Sequence, residues 1–242
     1  MTAPHAALDV STSHGPTAAP ADAQMLRRCR AAGLTMAFAA AICATAALAI
    51  LLTAGLPFGF DAPGRQLQPW YARHRAVMVA AATAYSLGAV ALIALGQSLS
   101  TWHRIVGVTT TWRANWAGTG ITVIAVHWIL NAACLFTIAI GRNSSTAGAE
   151  LLRFAFVLCV ANGAVIASTA LLAVPPHRSA MLTSYTVVLV FVEIALLVTT
   201  ALTYGATRFS IPLAVLGTGV FCLWAAWAGL LIARDSHRCL HA

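Results

Sequence analysis

Lysine is absent from this chain of 242 residues: all fourteen basic side chains are arginines, set against only six acids. Charged residues make up 8% of the sequence, where a soluble domain carries about 25%. With 60% apolar residues and a mean hydropathy of +0.82, the composition excludes a soluble globular domain and a disordered chain. None of the six cysteines has a CxxC neighbour, so zinc-knuckle and redox-motif readings lack their spacing. HExxH, the phosphate-binding GxxxxGK and GxSxG are missing, as are closely spaced acid pairs. The familiar protease, nucleotide and hydrolase sites are therefore absent, and a non-enzyme is the expectation. The net charge of +8 has no RNA-module or zinc-finger pattern beside it, so nucleic acid is not an expected partner. No two histidines face each other across an apolar core, which leaves a bis-histidine haem without ligands; no cofactor or metal is expected.

What the chain holds instead is length without charge. Thirty consecutive uncharged residues run from Ala31 to Phe60, about twice the apolar core of a cleaved signal. They read as an uncleaved anchor helix. Five further apolar runs follow, each near the ~20 residues that cross the hydrocarbon. The pattern predicts spans over 33–56, 76–97, 119–141, 151–174, 180–203 and 211–233. A backbone buried in lipid must satisfy its own hydrogen bonds, and runs apolar on all sides do not alternate as barrel strands do. The expected fold is all-α: a six-helix integral membrane bundle over 25–238. A disordered tail over 1–24 precedes it and a short tail over 239–242 follows.

The connections carry turn and interface chemistry. Pro57 to Asp61 and Pro69-Trp70-Tyr71 break helix and supply aromatics at headgroup level. Pro175-Pro176 forces a tight antiparallel hairpin between the fourth and fifth spans. Trp102, Trp112 and Trp116 recur at helical spacing between the second and third spans, which suggests a helix lying on the membrane surface. With the amino terminus inside, eight arginines lie on the cytoplasmic side and six on the other. That bias, with Cys29 and Cys239 on the reducing side, assigns both termini to the cytoplasm of a cell membrane. The lipid bilayer is the expected surrounding, with a membrane protein or a second copy as the expected kind of partner.

Helices in lipid associate through close packing of small side chains. Ladders at spacing four mark Ala37, Ala41, Thr45, Ala49 and Thr53 in the first span. Ala155, Cys159, Gly163 and Ala167 form another in the fourth, with a pair at Ala225/Gly229. Two Gly-Thr-Gly triplets, at Gly118 and Gly217, each precede a tryptophan ten residues after the first glycine, Trp128 and Trp227. Together with Tyr85 and Trp224, these tryptophans read as packing or lipid-facing aromatics.

Polar residues fall at one depth. His127 and Asn131, four apart, share a face of the third span; Asn162 sits mid-way along the fourth, and Glu193 near the centre of the fifth. At ~1.5 Å rise per residue the four lie within about 5 Å of one level. Glu193 is the only acid deep in any span, and facing lipid would cost it at least ~2.5 kcal/mol, so it is expected to face the interior. A Glu193/His127 pair could exchange a proton, and a carboxylate with two amide oxygens suits a hard cation. The expected function is a small transporter or a proton- or cation-translocating protein built on these four residues. The alternative is a non-catalytic membrane subunit whose polar layer fixes helix register; a membrane enzyme stands third.

Overall fold

The computed structural model describes residues 20–53, 64–106, 111–141, 145–173, 179–202 and 210–241. Every element among them is a helix: α1 (Pro20–Thr53), α2 (Gly64–Arg73), α3 (Arg75–Val106), α4 (Thr111–Ile140), α5 (Ser145–Ala173), α6 (Ala180–Leu202) and α7 (Ser210–His241). Six are long and apolar enough to cross a membrane, over Ala23–Ile50, Arg75–Ile105, Thr111–Ile140, Arg153–Ala173, Ala180–Leu202 and Leu216–Arg238. α2, at ten residues, is too short to cross.

The six long helices pack in a closed cycle: α1 on α3, then α4, α5, α6 and α7 in chain order, with α7 returning to α1. The two central helices of this chemistry, α4 and α6, differ in how they are covered. α4 buries a broad stripe from Ala114 to Ala139. α6 buries only Leu182, Thr186, Leu189, Val192, Glu193 and Leu196 and leaves an apolar outer face, with Phe191 74% exposed.

Helices reach further than the apolar runs. α1 starts at Pro20, inside the expected 1–24 tail, because strong helix formers continue through Arg27, Arg28 and Arg30. Those arginines stay exposed while Leu26 and Cys29 turn inward. Residues 1–19 of that tail lie outside the described residues. At the other end α7 runs to His241, so helix claims most of the expected 239–242 tail. Pro69 and Trp70, read as helix breakers, lie within α2, which packs on α5 through the Tyr71 hydroxyl donating to Gly148 O at 3.4 Å. Pro57–Asp61 and Pro175-Pro176 fall outside the described residues.

The α1 face also differs from its ladder. The buried residues are Leu26, Cys29, Gly33, Ala37, Ala40, Ala44 and Ala47, a period near 3.5. Thr45 and Ala49 of the spacing-four ladder are exposed. A strict spacing of four advances about 40° per step around a helix of 3.6 residues per turn, so such a ladder leaves the interface after two steps. The seam against α7 is tightest at Gly229, where a Cβ would stand 2.6 Å from Ala37 Cβ and 2.9 Å from the Gly33 carbonyl oxygen. Backbone cannot yield there as a side chain can. Gly229→Ala is expected to pry α1 from α7 and lower stability by about 1–3 kcal/mol, read as a lower unfolding temperature in detergent. A rise of up to ~1 kcal/mol, as helix propensity alone gives, would contradict this seam.

Candidate functional site

Glu193 is delivered inward by the face α6 turns to α5 and α7, and it is 3% exposed. Its carboxylate lies between two glycines. A Cβ on Gly217 of α7 would stand 2.6 Å from Glu193 Oε1, and one on Gly163 of α5 would collide with Oε2. Any larger residue at either position would occupy the carboxylate's space. Helix α5 therefore contributes Asn162 and Gly163 together, a polar group beside the gap that admits the acid.

A cavity of about 20 Å³ opens beside this carboxylate, lined among others by Asn131, Cys159, Asn162, Glu193, Tyr85 and Thr218. That is room for about one water molecule or a small ion. Asn131 and Asn162 are both buried, and neither side-chain oxygen has a hydrogen-bond partner among the described residues. Asn131 donates from Nδ2 to Cys159 Sγ at 3.3 Å, which engages its amide nitrogen and leaves Oδ1 unmet. Glu193 forms no hydrogen bond or ion pair among the described residues. Thr218 is spent on its own helix, donating to Ala214 O at 2.9 Å. The site thus holds two buried amide oxygens left unmet, and each buried acceptor left dry costs about 1–3 kcal/mol. A proton, a water molecule or a hard cation would relieve that cost.

An aromatic wall backs the cavity. Tyr85 and Trp128 meet edge to face at 5.6 Å, Trp128 meets Phe221 at 6.3 Å, and Phe221 stacks on Trp224 at 6.0 Å. Trp128 fits because Gly88 lies beneath it, where a Cβ would come within 2.7 Å of the indole. Trp224 is fully buried and donates to Thr186 Oγ1 at 3.1 Å. Trp128 and Trp224 are thus packing residues.

Three of the four midplane residues, Asn131, Asn162 and Glu193, line the one cavity. His127 does not. It sits half-buried toward the edge of the α4 stripe, with Nδ1 on the Val123 carbonyl at 2.8 Å, so the face it shares with Asn131 does not bring it to the acid. The three tryptophans expected on one surface helix are divided. Trp102 is 0% exposed in α3, which no breaker interrupts before Gly107, while Trp112 and Trp116 stand exposed in the first turns of α4. Sequence reasoning missed Gly163, Gly217, Cys159 and Thr218 as members of the site; the Asn-Gly and Gly-Thr pairs at matching depth were the available signal. Arg153 is paired with Glu150, three residues before it.

Among the described residues no group of three or more His, Cys, Asp or Glu converges to hold a metal ion. No protein-family model matches the chain, and comparison with curated proteins and with solved structures finds none similar to it.

Proposed function

We propose that the six long helices cross a cell membrane with both termini on the cytoplasmic side, and that the chain is a small transporter or ion-translocating protein carrying a proton or hard cation on Glu193. The observation that supports this most directly is the convergence of one carboxylate and two unpartnered amide oxygens, from three different helices, on one enclosed cavity. A layer serving only as glue between helices pairs its polar groups with one another; this one leaves acceptors open. Glu193 binds the proton or cation, and Asn131 and Asn162 complete its oxygen shell. Gly163 and Gly217 make the room. His127 is left outside this scheme.

The small size of the cavity favours a second reading, a non-catalytic membrane subunit in which the polar layer fixes helix register. Flux separates the two. Wild-type protein in vesicles under an imposed proton, Na⁺ or K⁺ gradient is expected to carry current or move pH above the protein-free level; none for any of the three would remove the transport reading.

A further inference from the structure

A second concavity, of about 700 Å³, lies between α3 and α4. Its floor is a close approach of two backbones: a Cβ on Gly96 would stand 3.1 Å from Gly118 O, and one on Gly118 3.3 Å from Gly96 O. Around that floor stand Gln97, Ser100, Arg104, Asn115 and Thr119. All but Ser100 are exposed, so the groove is on the outer wall of the bundle. Nearer the middle of α3 the outer residues are apolar, Leu87 and Val90. The groove thus presents a polar face beyond an aliphatic stretch of the same helix, at the end where Arg104 lies.

The donors define its charge. Arg104 Nη2 donates to Ser100 Oγ and to Asn115 Oδ1, both at 3.3 Å, which fixes the guanidinium across the groove. Because Asn115 accepts through its oxygen, its Nδ2 remains a donor. The Gln97 amide, the Thr119 hydroxyl and the other N–H groups of Arg104 likewise have no partner among the described residues. Among the described residues no carboxylate lines the groove. A fixed guanidinium beside neutral donors is the pattern that recognises a phosphate oxyanion. Arg104 stands one residue before the end of the candidate span at Ile105, the level at which lipid phosphates lie, and basic clefts between membrane helices suit anionic headgroups.

We propose that the α3–α4 groove binds a phosphate group, presented by the headgroup of an anionic phospholipid. This rests on the membrane-spanning part of the reading above and not on the chemistry of Glu193. The test is native mass spectrometry of the full chain in detergent, with phosphatidylglycerol, phosphatidylcholine or inorganic phosphate added. One phosphatidylglycerol is expected to stay bound per chain, in preference to phosphatidylcholine. Arg104→Gln is expected to lower its retention by about tenfold or more, and Gln97→Leu with Thr119→Val, which keeps the arginine, by severalfold. Arg113→Gln, removing a cation that lies over the Trp112 ring at 5.8 Å and outside the groove, should leave retention unchanged. Equal loss in the Arg104 and Arg113 variants, equal retention of both lipids, or a lipid-free dimer broken by Arg104→Gln would overturn the proposal. Displacement of the lipid by inorganic phosphate at matched concentration would overturn the headgroup as the source. A chain that stays dispersed without detergent would instead defeat the membrane reading itself.

Discussion

Glu193→Gln is expected to reduce proton- or cation-driven flux in reconstituted vesicles to the protein-free level while the protein stays folded. Glutamine has the shape of glutamate, so the space between Gly163 and Gly217 still accepts it. It carries no titratable proton and offers a cation one amide oxygen in place of a carboxylate. Its amide nitrogen also brings two donors to a site where the side-chain oxygens of Asn131 and Asn162 lack them. With the burial cost of an ionised acid removed and donors gained, the unfolding temperature should stay level or rise. Activity and stability therefore move apart, which a merely structural carboxylate would not produce. Flux equal to wild type, or flux lost only because the variant unfolds, would eliminate Glu193 as the carrier.

Adding a single methyl group at Gly217 should have nearly as large an effect on flux. Alanine is ordinarily better than glycine inside a helix by up to ~1 kcal/mol, so the sign of the stability change is informative. At Gly217 the new carbon would stand 2.6 Å from Glu193 Oε1, and Gly163 blocks retreat on the far side. The carboxylate must leave its seat, and Gly217→Ala is expected to abolish flux with a stability loss of about 1–3 kcal/mol. In a Glu193→Ala background the same methyl meets no carboxylate, and the loss should vanish or reverse. Such a double-mutant cycle isolates the pair. Gly219, where a Cβ meets nothing within 4 Å, supplies the control: Gly219→Ala should stabilise and leave flux intact. If Gly217→Ala and Gly219→Ala behave alike by thermal unfolding and by flux, the carboxylate is not held as described.

The sequence was most legible where the physics is one-dimensional. Six apolar runs near the length of a bilayer predicted six long helices, and the interior-facing prediction for Glu193 followed from the cost of exposing an acid to lipid. The common depth of Asn131, Asn162 and Glu193 came from counting residues along helices. Helix ends were less legible because helix propensity continues past the apolar stretch: α1 passes through three arginines, and α3 passes through Trp102 to Val106. Azimuth was the weakest inference. His127 shares a face with Asn131 in sequence, yet a rotation of about 40° per four residues is enough to leave one lining the cavity and the other bonded to its own helix. Gly163 and Gly217 share the carboxylate's depth in the sequence, but that they flank it could not be read without knowing which helices are neighbours.

That neighbour relation has a bearing on biosynthesis. Helix α6 leaves the ribosome before α7, yet α7 provides one of the two glycine walls around Glu193 and the contact with α1 that closes the cycle. If the proposed membrane reading holds, a nascent chain commits its acidic helix to the translocon with Gly163 alone beside the carboxylate. Only six residues separate the end of α5 at Ala173 from the start of α6 at Ala180, so the two enter most economically as a pair, the glycine side already facing the acid. Arrival of the last helix is then the event that completes the cover over Glu193.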